Sequence, residues 1–243
     1  MKIYIDEAWR GPLAWPLYVW LIIPLKRFVK KDFKDSKKLT AKNRKKLFQN
    51  IEKLENKASI IYSIWVVNNK EIDQFGITKS INLAIKRWLF DILKKYYNNY
   101  LKKSLSKWLC SCDIINSFSI ENLIQEDFSS NNLKKLIQTI SQTNPISKII
   151  IDWNNDFGIK NELEIAVDTV IKWDDKITEI SMASIVAKVQ RDKRMINIAQ
   201  KKYPNYNFKK NKWYGTLEHR NSIKKFWICE IHRKLFLKKL ILT

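Results

Sequence analysis

Three short apolar runs, far apart in the chain, each end on a carboxylate. Residues 3–5 lead to Asp6 and Glu7, residues 148–151 to Asp152, and residues 163–171 to Asp174 and Asp175. An acid at the end of a buried strand is costly unless it holds a cation or a proton. Sites of α/β folds lie at strand ends on one edge of the sheet. A fold that aligns the three runs therefore gathers the acids, and gathered carboxylates repel unless divalent cations sit between them. Oxygen ligands suit Mg²⁺ or Mn²⁺, and two such ions about 3.5–4 Å apart can drive in-line phosphodiester hydrolysis. On spacing alone, acids that merely cap surface strands are the competing reading.

The first of these runs opens a dense stretch, I-Y-I-D-E-A-W-R-G-P-L-A-W-P at 3–16. Behind the paired acids an arginine, a glycine and two prolines make a basic turn that could meet a phosphate. Trp9 and Trp15 are out of place there, because a tight turn favours glycine.

Elsewhere strands and helices alternate. Residues 2–5 and 16–25 read as strands joined by the acidic turn. Thr40 is placed to cap a helix running to about residue 56. Residues 58–67 read as a strand and 78–101 as a long helix. The runs 148–151 and 163–171 read as strands, 180–203 as a helix, and 203–215 as a polar, aromatic loop. Helices over 216–226 and 231–242 complete the chain. The pattern predicts one α/β domain over 1–243, with a mixed central sheet flanked by helices and a C-terminal helical extension. Residues 102–146, rich in Ser, Asn and Lys, read as a peripheral insertion.

The formal net charge of +22 favours a polyanionic partner such as nucleic acid. Abundant Lys, Ile and Asn, all with A/T-rich codons, offer genome composition as a rival cause. Cys110, Cys112 and Cys229 make neither a disulfide framework nor a four-ligand zinc site, so reduced thiols are expected. No run of about 18 uncharged apolar residues occurs, and the start lacks a secretory pattern. A cytoplasmic protein with no membrane contact is expected.

The blocks of sequence around the acids carry a resemblance. I-D-E-A-W-R-G-P-L-A-W-P at 5–16 is similar to I-D-E-A-G-R-G-P-L-A-G-P of ribonuclease HII. D-S-K-K-L at 35–39 and E-I-D at 71–73 match, and I-I-D-W-N at 150–154 and V-I-K-W-D at 170–174 resemble I-D-G-N and V-K-G-D. A-S-I-V-A-K-V-Q-R-D at 183–192, N-K-W-Y-G-T-L-E-H at 211–219 and I-H-R-K-L-F at 231–236 are similar to further family blocks. They occur in family order and span nearly the whole chain, apart from 102–146.

The resemblance implies a ribonuclease H-like fold and an endonuclease that hydrolyses the RNA strand of RNA–DNA hybrids. It also implies nicking of duplex DNA 5′ of an embedded ribonucleotide, leaving 3′-hydroxyl and 5′-phosphate ends. Carried over by motif, Asp6, Glu7, Asp152 and Asp174 would be the catalytic acids and the ligands of Mn²⁺ or Mg²⁺. Arg10 and Gly11 match the turn that reads the 2′-hydroxyl, which distinguishes RNA from DNA. Tyr214 matches the tyrosine that packs on the sugar at the junction. Lys37, Ser184, Lys188 and Arg191 fall at positions suited to backbone phosphates. Residues 203–243 would form a substrate-contacting loop and helices, and the protein is expected to be a monomer. His219 and His232, the only histidines, are expected to be structural, and Asp175 and Asp192 to be structural or to stand behind the metal ligands.

One departure is systematic. The family motifs have glycine where this chain has Trp9, Trp15, Trp153, Trp173 and Trp213, and relatives tend to carry glycine near Trp65 and Trp227 as well. The chain has four glycines and ten tryptophans, and the usual glycine content is about 7%. Tryptophan's UGG and glycine's GGN both lie one step from UGA. The pattern therefore suggests UGA codons, read as glycine in the source organism and written here as Trp. If the tryptophans are genuinely present, the alternative is a catalytically impaired hybrid-binding protein.

Overall fold

Alternating apolar residues build a sheet through the centre of the molecule. The structure, a computed structural model, describes residues 1–8, 10–14, 16–28, 33, 39–98, 129–143, 145–170, 177–194 and 200–241. Strand β1 (Lys2–Ala8) pairs antiparallel with β2 (Leu17–Pro24), from Tyr4 against Ile22 to Ala8 against Tyr18. The acids Asp6 and Glu7 are thus inside a paired strand and not in the turn after it, because the ladder to β2 continues past them. Thr40 caps helix α1 (Ala41–Asn56), its Oγ1 accepting from the Asn43 amide at 3.2 Å. Strand β3 (Ile60–Val67) follows and pairs with β2.

Helix α2 (Asn69–Tyr96) begins nine residues before the sequence pattern predicts. The reason is a capping box. The Glu71 amide donates to Asn68 Oδ1 at 2.9 Å, and the Asn68 amide donates back to Glu71 Oε2 at 3.0 Å. Read as a motif, residues 71–73 concealed their role as a helix start. Gly76, at φ 76°, interrupts the helix just after its first turns. An Asn68→Ala variant is expected to lose about 1 kcal/mol of stability, read as a lower urea midpoint with an unchanged denaturant slope.

Helix α3 (Ser130–Thr143) is a core element within the stretch 102–146 that reads as peripheral. Leu133, Leu136 and Ile140 are fully buried in the same core cluster as α2. Their spacing is helical, so an amphipathic patch inside a polar stretch is a core element. Residues 102–128, including Cys110 and Cys112, lie outside the described residues.

Strand β4 (Lys148–Ile151) runs parallel to β1, and the short helix α4 (Ile159–Leu163) leads to β5 (Val167–Thr169). The run 163–171 predicted as one strand is therefore a helix end and a three-residue strand. Left-handed Glu164, at φ 55°, ends α4 and turns the chain. The sheet order is β3-β2-β1-β4-β5, with β1, β4 and β5 mutually parallel and β2 antiparallel to both its neighbours, β1 and β3.

Each face of the sheet buries its own core. Ile3, Ile5, Val19, Leu21, Ile149 and Ile151 pack with α2 and α3. Tyr18, Trp20 and Ile22 pack on the other face with helix α5 (Thr178–Arg194) and α1. After α5 come α6 (Gln200–Lys202), a 3₁₀ turn (Pro204–Tyr206), α7 (Phe208–Asn211), α8 (Leu217–Phe226) and α9 (Lys234–Ile241). Thr216 Oγ1 accepts from the His219 amide at 3.3 Å and caps α8. No helix among the described residues is long and apolar enough to cross a membrane.

Candidate active site

Parallel pairing of β1 with β4 decides where the acids meet. Ile5 is opposite Ile151, and the Asp152 amide donates to the Ile5 carbonyl at 3.0 Å. Asp6 and Asp152 follow this last pair on neighbouring strands roughly 4.8 Å apart, Asp152 in the bend just past the end of β4, and Asp6 shares the face of Tyr4. That face is the one covered by α5. Tyr4, two residues before Asp6, has its hydroxyl pKa raised by burial and by the charge of Glu179 on α5. Both acids are half-buried.

The Val170 amide donates to the Ile151 carbonyl at 2.9 Å, so β5 ends at the same edge. Asp174 and Asp175 are a few residues further and lie outside the described residues. So does Lys37. Glu7 is in β1, paired with Val19, and only its backbone is described. Among the described residues no group of three or more His, Cys, Asp or Glu side chains stands together as a metal site. The two acids, one residue past the Ile5–Ile151 pair, offer oxygen donors alone. That chemistry fits a hard divalent cation and does not fit zinc.

The basic turn lies beside this edge. The Arg10 guanidinium sits over the Trp153 ring, 4.8 Å from its centroid, next to Asp152 in sequence. Gly11 is exposed and faces Tyr214, so that a Cβ built on it would lie 3.7 Å from the tyrosine's Cε1. Tyr214 is 43% exposed. The structure therefore brings Arg10, Gly11 and Tyr214 to one place from opposite ends of the chain.

Arg233 explains how the turn is held, and sequence reasoning missed it. Fully buried, it donates from Nη1 to the Arg10 carbonyl at 3.0 Å, and its amide donates to the Leu13 carbonyl at 2.8 Å. Leu13 in turn donates its amide to the Trp213 carbonyl at 2.8 Å, and Ala14 bridges His232. Burial pulls the Arg233 pKa down to about 9, opposed by Asp73 and Tyr214. A cation so deep is rare without partners, and its place in the I-H-R-K-L-F block was the available signal. Asp73 accepts the Lys234 and Leu235 amides at 3.1 and 2.8 Å, which anchors α9 to α2.

Ser184, Lys188 and Arg191 are spaced four and three residues apart along α5, hence on one side of the helix. Ser184 is buried and Lys188 half-buried. Of Arg191 only the backbone is described. Asp192 pairs with Arg44 at 3.7 Å, tying α5 to α1 as a structural acid would.

Beyond this geometry stand the likenesses to known proteins. The family model described as Ribonuclease HII matches residues 3–95 and 89–239. The chain belongs to the ribonuclease HII family. It is 33% identical to ribonuclease HII of Caldicellulosiruptor bescii, over 98% of this chain and 86% of that one. With ribonuclease HII of Campylobacter concisus the identity is 31%, over 97% and 92%. Among solved structures, ribonuclease H2 of Pyrococcus horikoshii OT3 superposes with a TM-score of 0.58 at 21% identity, covering 98% of this chain and 96% of that one. The structure of the PCNA:RNase HII complex from Archaeoglobus fulgidus gives 0.57 at 19%, covering 99% and 96%. The fold is ribonuclease H-like, as the resemblance implied. The protein is a hydrolase, an endonuclease of the ribonuclease H type, in a metal-dependent family acting on RNA–DNA hybrids.

Several tryptophans sit badly. Trp213 is fully buried at φ 66°, and Trp227 follows α8 at φ 65° and ψ −169° while 58% exposed. The second pair of angles lies in a region populated almost only by glycine. The indole N–H groups of Trp20, Trp88 and Trp153 are buried with no hydrogen-bond partner among the described residues, each a cost of about 1–3 kcal/mol. Trp9, Trp15, Trp108 and Trp173 lie outside the described residues.

Proposed function

We propose that Asp6, Glu7, Asp152 and Asp174 hold Mn²⁺ or Mg²⁺ at the shared edge of β1, β4 and β5. The protein then cleaves the RNA strand of hybrids and nicks duplex DNA 5′ of an embedded ribonucleotide. The observation that carries this reading is the register that sets Asp6 beside Asp152. Bound ions would activate water and stabilise the leaving 3′-oxygen, so no histidine base is required. That agrees with burial of both histidines, which are out of reach of an attacking water.

The chain's own residues supply recognition. Arg10 and Gly11 present backbone and guanidinium donors to the 2′-hydroxyl, and the exposed ring of Tyr214 packs on the sugar beside it. Lys37, Ser184, Lys188 and Arg191 line up with backbone phosphates. The exposed Lys209, Lys212 and Lys224 make 203–243 a basic contact surface, which supports its role in substrate binding. The protein works as a cytoplasmic monomer in this reading.

The deciding experiment is cleavage of a DNA duplex with one ribonucleotide, supplied with Mn²⁺ or Mg²⁺. The expected product is a single nick 5′ of that nucleotide with a 5′-phosphate end. An all-DNA duplex cut equally well would sink the reading. Tyr214→Ala is expected to raise KM for this substrate about ten-fold, the scale of one lost stacking contact, with kcat little changed.

A second reading concerns the tryptophans, favoured by the glycine-only angles of Trp227 and the positive φ of Trp213. The ten positions are UGA codons, and the source organism inserts glycine there. The intact mass of protein isolated from that organism would be lower by the corresponding side chains. UGG codons at these positions would end the idea.

A further inference from the structure

The two imidazoles meet in the interior, and their hydrogen bonds have a single consistent direction. His219 and His232 are 0% and 1% exposed. The Cys229 amide, which can only donate, donates to His232 Nδ1 at 3.0 Å. That nitrogen therefore carries no proton and cannot also donate to the Cys229 carbonyl oxygen 3.3 Å away. Cys229 Sγ, 3.1 Å from the same nitrogen, is a further donor to it. The proton of His232 is on Nε2, directed at His219 Nε2 at 3.1 Å. His219 accepts there, so its own proton is on Nδ1 and goes to the Tyr214 carbonyl oxygen at 2.9 Å. The chain of bonds runs from Cys229 to Tyr214 without a conflict.

The surroundings keep both rings neutral and in place. Tyr206 and Phe208 stack on each other with centroids 5.4 Å apart, and each packs edgewise or tilted on both imidazoles. Burial lowers both histidine pKa values, that of His232 to about 4. A proton added at His219 Nε2 would set two donors against each other across the 3.1 Å contact, and one added at His232 Nδ1 would face the Cys229 amide that donates to it.

At the far end of this chain is a turn that needs support. Lys212 and Trp213 both have positive φ, at 49° and 66°. Bulky residues persist in that conformation only where the surroundings over-determine it. The backbone supplies bonds from the Tyr214 amide to Asn211 at 3.0 Å and from the Thr216 amide to the Tyr214 carbonyl at 2.8 Å. His219 adds the bond that ties the turn to the buried interior.

We propose that His219 and His232 are positioning residues for the substrate, an ordered neutral pair that fixes the Tyr214 carbonyl and, through it, the ring facing Gly11. This rests on the reading that Tyr214 packs on the ribonucleotide sugar.

Long-range ¹H–¹⁵N NMR of the unmodified protein reads the tautomers directly. The expected result is the uncommon Nδ1–H form for His219 and the Nε2–H form for His232. Two Nε2–H rings would overturn the proposal. Kinetics on the single-ribonucleotide duplex supply the second arm. His219→Leu removes the donor to Tyr214 and is expected to raise KM about ten-fold, with kcat within about two-fold. His219→Asn keeps an N–H near the Nδ1 position and is expected to recover most of that loss. Equal KM values in the two variants would overturn the positioning role, as would a normal KM in His219→Leu while Tyr214→Ala raises it. A normal KM in Tyr214→Ala would instead refute the sugar contact. Should His219→Leu fail to fold, the tautomers and the His219→Asn variant still decide.

Discussion

An Asp6→Asn variant is expected to lose about three orders of magnitude or more in kcat on a ribonucleotide-containing duplex, while its circular dichroism stays unchanged. Asp6 and Asp152 each follow the last paired position, Ile5 and Ile151, of two parallel strands. If Asp6 holds the metal as proposed, removing its carboxylate takes away a ligand and several kcal/mol of charge stabilisation at the reacting phosphate. Each 1.36 kcal/mol is a factor of ten in rate. With Mn²⁺ at a hundred times its Kd, the parent gains about 2.7 kcal/mol, which is roughly 5–10 °C in Tm for a chain of this size. Asp6→Asn should show little of that gain. A variant that cleaves at the normal rate would place the chemistry elsewhere.

Trp227→Gly is expected to stabilise the protein by about 1–2 kcal/mol. The residue ends α8 at φ 65° and ψ −169°, where a Cβ costs about 1–3 kcal/mol. Glycine removes that strain, less a few tenths to one kcal/mol for the freer unfolded chain. The exposed indole has little packing to lose. Meanwhile the Trp227 carbonyl, which accepts from Tyr206 Oη at 2.8 Å, stays in place. In Tm the gain is roughly 2–8 °C. Trp227→Ala is the control, since it removes the indole and keeps the Cβ. Equal stabilisation in both variants would assign the effect to the indole and not to the backbone.

The site was legible in the sequence to an uneven degree. Asp6 and Asp152 could be read because a buried strand that ends on an acid is a local pattern, and the parallel register then needed only the sheet. Thr40 and Thr216 also act locally, and both cap helices where their positions indicated. The start of α2 was missed, because Asn68 and Glu71 signal a cap only as a pair. The core role of α3 was hidden, since Leu133, Leu136 and Ile140 are diluted by polar neighbours. Arg233 was not legible at all as a clamp on Arg10, since its partner is some 220 residues away. The same holds for the histidine pair. Each ring alone suggests only burial, and their order emerges from the fixed amide donor of Cys229.

The placement of β1 also matters for how the chain is made. It is a central strand, yet Lys2 has to wait for Lys148 to emerge from the ribosome before its second edge is paired. At about 5–20 residues per second, the nascent β1–β2–β3 meander exposes that edge for roughly four to sixteen seconds before Lys148 follows Val67. An open, apolar strand edge invites pairing with other chains, and charge on the edge strand is a standard defence. Asp6 and Glu7 supply it at the carboxyl end of β1 during synthesis. The acids proposed for phosphodiester hydrolysis thus shield the newborn sheet from aggregation, so their neutral variants should yield less soluble protein on expression even where the purified fold is sound.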